Sequence, residues 1–142
     1  MGFFKLKLNT DGCSRGNPGT AGFGGVVRDE VGEWVVGYYG RLKDCTGSEA
    51  EIWGIFRCLK AVFEQGQSMM NIETDSEVAV KMINDGVAPN SPLRNLVDDC
   101  KELLRRINGN LTHTLREGNQ VADRLANIGA DQEDGKIGRA HV

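Results

Sequence analysis

The sequence predicts an α/β domain on a five-stranded mixed sheet, an antiparallel three-strand meander plus two parallel strands, with helices on both faces. Three features carry that expectation. Period-two alternation dominates the start of the chain. From Ser48 onward, apolar stripes at helical spacing take over. The two later strand-like runs, Met70–Thr74 and residues 111–116, are each followed by helical segments. Strands joined through such crossovers pair in parallel, and the crossovers lay helices on the sheet.

In residues 5–10, Leu6, Leu8 and Thr10 share one face and Lys7, Asn9 and then Asp11 the other, so Asp11 leaves the strand on its polar side. Residues 23–28 and 33–42 are the second and third strands, joined by a Glu30-Val31-Gly32 turn. The first helix opens near Ser48, where Ser-Glu-Ala-Glu fits a capping box between Ser48 and Glu51; Ile52, Ile55, Phe56, Leu59, Val62 and Phe63 form its apolar face before Gly66. After Met70–Thr74, with Asn71, Glu73 and Asp75 on a common face, residues 76–84 read as a short helix closed by Gly86. Pro92 falls in the first turn of a longer helix whose stripe runs from Leu93 to Ile107, with Gly109 just beyond. A strand over residues 111–116 and a helix over 119–130, with Val121, Leu125 and Ile128 as its apolar positions, complete a domain of residues 1–130. Residues 131–142 mix charge with glycine and show no periodicity, so a disordered tail or appended remnant is expected.

At 142 residues, 39% hydrophobic and 26% charged, the chain suits one ordinary core. No apolar run approaches the ~18 residues of a membrane span, and the N-terminus lacks the order of a signal peptide, so an intracellular protein without a membrane partner is expected, its compartment not specified by the sequence. Cys13, Cys45, Cys58 and Cys100 lack C-x-x-C spacing and read as small hydrophobes, not as a disulfide frame or zinc site. With 17 basic and 20 acidic residues the net charge is −3, which excludes attraction of a polyanion by the whole-molecule field. A nucleic-acid partner would need local cationic groups or metal ions.

Four acids fall at junctions between the expected elements: Asp11 ending the first strand, Glu51 in the first turn of the first helix, Asp75 ending the fourth strand, and Asp123 near the start of the last helix. Functional groups collect at strand ends in helix-flanked sheets, and carboxylates gathered there repel unless cations neutralise them. Such oxygen donors favour Mg2+ or Mn2+. Each acid also has a local reading: Glu51 as the partner of Ser48 in the capping box, Asp75 as a helix cap, Asp123 as a first-turn acid favoured by the helix dipole.

The stretches TDGCSRGNPGTAGFGGVVRD, SEAEIWGI, IETDSEVAV and REGNQVADRLA, in that order, resemble the motifs of type 1 ribonuclease H. They look most like the handle-less domains of plant retroelement-related, reverse transcriptase-like proteins, and the resemblance runs from about Lys5 to Ala130. It implies a ribonuclease H-like fold and hydrolysis of the RNA strand of an RNA/DNA hybrid, leaving 5′-phosphate and 3′-hydroxyl ends. It makes Asp11, Glu51, Asp75 and Asp123 ligands of two Mg2+ ions, replaceable by Mn2+: Asp11 bridging both, Asp123 at the water-activating ion, Glu51 and Asp75 at the other. It also implies substrate contacts from Gly12, Cys13, Ser14 and Asn17, where glycines at 12, 16 and 19 clear the approach of backbone N–H groups and the Asn17 amide to a sugar edge. Further contacts are implied from Thr46, Ser48, Ser76 and Asn119. The partner is the hybrid, and the chain is expected to be a monomer as an isolated domain or part of a longer reverse transcriptase-like chain. The alternative is a catalytically weak or silent nucleic-acid-binding module.

The chain departs from the family pattern in places. Six residues between Gly86 and Leu93 leave no room for the basic, tryptophan-bearing protrusion of some members, so weak hybrid binding is expected. Gly47 and Ser48 stand where asparagines are frequent, and Thr46 matches a contact to a DNA-strand phosphate. Glu77 would repel a phosphate that it faced. Two residues compete for a role in product release, His113 ten residues before Asp123 and Arg116 seven before it. His113 lies between Thr112 and Thr114 in an expected strand, where a structural role is commoner, which favours Arg116. Trp34 and Trp53 read as core or half-core residues.

Overall fold

β1 (Leu6–Ser14), β2 (Gly19–Arg28) and β3 (Trp34–Cys45) form the antiparallel meander in the computed structural model, which describes residues 5–133 and 137–140. Each strand outruns its sequence alternation. β1 continues because β2 stays paired with it, Asp11 opposite Gly24 and Ser14 opposite Ala21. Asp11 is therefore inside a strand, not at its end. What stops there is the pairing on the other side. β4 (Met70–Thr74) runs parallel to β1 only as far as the Thr10 and Thr74 pair, and β5 (Asn110–His113) lies parallel to β4.

Among the described residues the sheet has six strands, in the order β5-β4-β1-β2-β3-β6, where the sequence predicts five. β6 (Ile137–Ala140) pairs antiparallel with β3, Gly37 opposite Ala140, and comes from the last twelve residues, expected to be a tail. The edge of β3 offers unpaired N–H and C=O groups that any extended segment can satisfy. Four residues are too few for a periodic signal.

α1 (Gly47–Glu64), α2 (Glu77–Asp85) and α3 (Arg94–Arg106) pack together on one face, and α4 (Gln120–Ala130) covers the other. β2 shows the alternation: a Cβ on Gly22 or Gly24 would run into α4, and one on Gly25 into Cys58 of α1. The core lies under α1, where Leu8, Phe23, Ile52, Ile55, Leu59 and Ile72 are fully buried. Each such side chain contributes about 1.5–3 kcal/mol relative to exposure. All four cysteines are free. No helix among the described residues is long and apolar enough to cross a membrane.

Several local expectations shift. α3 starts at Arg94, after a turn in which the Arg94 N–H donates to the Ser91 carbonyl at 3.1 Å. β5 ends at His113, and Arg116–Asn119 form a single 3-10 turn before α4. α4 does not bury Ile128, which is 45% exposed; it turns Ala122, Leu125, Ala126, Gly129 and Ala130 to the sheet. The two backbones nearly touch there, since a Cβ on Gly22 would lie 2.2 Å from the Ala130 nitrogen. At Gly22, Gly24 and Gly129 no larger residue would fit. Trp34 is half-buried, whereas Trp53 is 37% exposed on the outer side of α1.

Candidate active site

The chain leaves β3 at Cys45 and turns directly into α1, so the helix is capped two residues earlier than Ser48. The Thr46 hydroxyl accepts the Glu49 N–H at 3.2 Å, and the Glu49 carboxylate accepts the Thr46 N–H at 2.9 Å. The capping box is therefore Thr46 with Glu49, not Ser48 with Glu51. Two S/T-x-x-E patterns overlap in Thr-Gly-Ser-Glu-Ala-Glu, and the exit from β3 selects the first.

Glu51 is thereby released from capping. Its carboxylate accepts the Gly12 N–H at 2.7 Å. That donor is free for it because β4 has left β1 after Thr10. α1 can come this close because both contact positions are glycine: a Cβ on Gly12 would lie 2.0 Å from the Ala50 carbonyl oxygen, and one on Gly54 2.7 Å from that of Asp11.

Asp75 is the first residue past β4, and it is not a cap either. Ser76 caps α2, its hydroxyl accepting the Ala79 N–H at 3.1 Å. Carboxylate oxygens of Asp11, Glu51 and Asp75 all lie within 4.8 Å of one another. Asp123, in the first turn of α4, reaches Asp11 from the opposite face of the sheet. A cleft of about 640 Å3 opens over the four acids, lined also by Gly12, Gly47, Ser48, Ser76, Val78, Arg116 and Gln120.

Burial, and after it the charge of Glu51, pushes the Asp11 carboxyl far above the ordinary carboxylate range, with Asp75 adding to the effect. Burial also raises Glu51, against the opposing hydrogen bonds of Asp11 and the Gly12 N–H. Converging carboxylates poor in water hold protons that a divalent cation would displace. Hard, anionic oxygens in this number suit Mg2+ or Mn2+, so the residues present fit such an ion.

The other expected site residues divide into two groups. Gly12, Ser48, Ser76 and Arg116 line the cleft. His113 does not; its Nδ1 lies 3.9 Å from Glu77 Oε1. Asn17 is exposed in the connection from β1 to β2. The Cys13 thiol donates to the Ala126 carbonyl at 3.4 Å, and the Ser14 hydroxyl lies 2.6 and 2.5 Å from the carbonyls of Gly16 and Cys45. The Thr46 hydroxyl accepts the helix cap bond, which leaves its O–H donor unassigned. Asn119 is buried, and its Nδ2 donates to the Thr10 carbonyl at 2.8 Å, tying the entry of α4 to β1 beside Asp11. Sequence reasoning missed Val78 and Gln120. Gln120 stands three residues before Asp123 on one helical face, a spacing that could have revealed it.

Residues 9–129 match the family model described as reverse transcriptase-like, and the fold superposes on solved type 1 ribonucleases H. The chain belongs to the reverse transcriptase-like, type 1 ribonuclease H family. The chain is 41% identical over 127 residues to the Arabidopsis thaliana protein named "Putative ribonuclease H protein At1g65750", covering 86% of this chain and 20% of that protein. It is 32% identical over 123 residues to ribonuclease HI of Halobacterium salinarum, covering 85% of this chain and 62% of the relative. The crystal structure of RNase H1 from Halobacterium salinarum matches with a TM-score of 0.81 and 30% identity over 89% of this chain and 97% of that one. LC11-RNase H1 in complex with an RNA/DNA hybrid matches at 0.80 and 28% identity, over 89% and 97%.

Proposed function

We propose that this domain, residues 1–130 with β6 added at the sheet edge, hydrolyses the RNA strand of RNA/DNA hybrids in a metal-dependent reaction, as a monomer or as part of a longer reverse transcriptase-like chain. The observation that carries the reading is the convergence of Asp11, Glu51 and Asp75 within 4.8 Å, with Asp123 on the same cleft and neither Glu51 nor Asp75 used as a cap. Asp11, Glu51, Asp75 and Asp123 would hold two Mg2+ ions, or Mn2+ in their place. Such ions, when bound, supply Lewis acidity at a phosphate and lower the pKa of water, consistent with products ending in 5′-phosphate and 3′-hydroxyl groups.

The remaining roles belong to the chain itself. The Gly12 N–H orients the Glu51 carboxylate, and the Asn119 amide holds the start of α4, and with it Asp123, against β1. Arg116 places a guanidinium at the rim of the cleft, where it would meet a phosphate and assist release of a charged product. Ser48 and Ser76 offer hydroxyls to the sugar–phosphate edge, and Asn17 offers an exposed amide from the glycine-rich connection.

A second reading, a weakly active or silent binding module, draws support from the Ser14 hydroxyl, whose donor is engaged within the protein. Incubation of a labelled RNA/DNA hybrid with protein and Mg2+, beside single-stranded RNA, duplex RNA and duplex DNA, separates the two. Cleavage confined to the hybrid's RNA strand is the expected result; binding without cleavage favours the module.

A further inference from the structure

Asp75 lies one residue beyond a five-residue strand, so its distance from Asp11 depends on how firmly the last pairs of β1 and β4 are held. Parallel pairing is slightly weaker per residue than antiparallel, and β4 is short. At the Asn9 and Glu73 pair a second tie appears: Asn9 Nδ2 donates to Glu73 Oε1 at 3.1 Å. Lys7 Nζ lies 3.4 Å from Glu73 Oε2, and Asn71 Nδ2 lies 3.5 Å from the same oxygen. Asn71 Oδ1 in turn faces Thr112 Oγ1 at 3.4 Å, so the polar chain crosses from β1 through β4 to β5.

Asn9 is only 2% exposed. A buried amide costs stability unless it is bonded, and an apolar residue would serve a core more simply. What the polar pair adds is directionality, because it is satisfied in one register alone. Side chains alternate along a strand, so Asp11 is the next residue on this face after Asn9, and Asp75, two residues after Glu73 and just past β4, converges with it.

We propose that Asn9 and Glu73 are positioning residues, a cross-strand clamp that sets the spacing of Asp11 and Asp75 for a divalent cation. The proposal rests on the functional reading above, and its test uses the protein as it stands, with Mn2+ as the probe. Mn2+ affinity by calorimetry, thermal midpoint and hybrid cleavage are measured for the parent, Asn9→Ala, Glu73→Ala and Glu73→Gln. Glutamine keeps an acceptor for the Asn9 amide while removing the charge, so it separates clamp from electrostatics. Residues that support metal ligands through hydrogen bonds typically change affinity by about 10–100-fold when removed. Expected, then, is Mn2+ binding weakened about tenfold or more in Asn9→Ala and Glu73→Ala, and close to parental in Glu73→Gln.

Two results would overturn the clamp while leaving the functional reading intact. One is equal weakening in both Glu73 variants with none in Asn9→Ala, which assigns the effect to charge. The other is a lowered thermal midpoint with parental Mn2+ affinity in the folded variants, which makes the pair structural only. A parent that neither binds Mn2+ nor cuts hybrids removes the functional reading and the clamp together.

Discussion

The first turns of α1 and α4 deliver one carboxylate each to the same cleft, yet they are built in opposite ways. α1 is closed by a reciprocal capping box, pressed against β1 through Gly12 and Gly54, and its Glu51 is partly buried and bonded to a strand N–H. α4 has no side-chain cap, follows a single 3-10 turn, and presents an exposed Asp123. Its entry is tied to β1 by the Asn119 amide. One half of the cluster is thus set by backbone contact, and the other hangs on a side-chain hydrogen bond. Burial raises the carboxyls of Glu51 and of Asp11 beside it.

The largest test of that contrast is Glu51→Gln. Glutamine preserves an acceptor for the Gly12 N–H, and Glu51 takes no part in the cap, so folding stability should stay within about 1 kcal/mol of the parent. Loss of an anionic oxygen from the buried half should lower hybrid cleavage on the order of 10²-fold or more. Parental cleavage rates in this variant would sink the four-carboxylate reading.

Asp123→Asn should act more mildly. The trio of Asp11, Glu51 and Asp75 is left intact, so calorimetry should still detect Mn2+ binding there, while cleavage falls. If Mn2+ binding is abolished in Asp123→Asn, the two halves are not distinct.

In metal-free protein, Asp11→Asn should stabilise the fold at pH 7 by at least about 1 kcal/mol, the equivalent of roughly one pKa unit. Because folding favours the protonated Asp11, its contribution is complete below the ordinary value of 3.8 and is lost as pH climbs toward the raised one. The gap between variant and parent in thermal midpoint should therefore widen from pH 4 upward. Millimolar Mg2+ should raise the parental midpoint and narrow that gap.

The smallest effect is expected at Thr46→Ala. Loss of the cap should cost about 1 kcal/mol in denaturant unfolding while leaving cleavage by the folded protein near the parental rate. A large loss of cleavage at full folding would instead support a direct contact of Thr46 with substrate.

Much of this protein is legible from local pattern. Alternation and helical stripes locate the meander, Met70–Thr74 and the four main helices, because each element must bury one face and its periodicity records which. The order and spacing of Asp11, Glu51, Asp75 and Asp123 likewise stand in the sequence, through the resemblance of their motifs. Tertiary structure alone decided which of two overlapping caps starts α1, and so whether Glu51 was free. It decided that Asp11 sits inside β1 and that β4 departs just before it. It turned the alanines and Gly129 of α4 to the sheet beside Leu125, in place of Ile128, and it recruited residues 137–140 to the edge of β3. These outcomes share one cause. Each depends on how near two backbones approach or which hydrogen-bonding edge stands open, quantities set by residues distant in the chain, whereas periodicity reports only the face a segment would bury by itself.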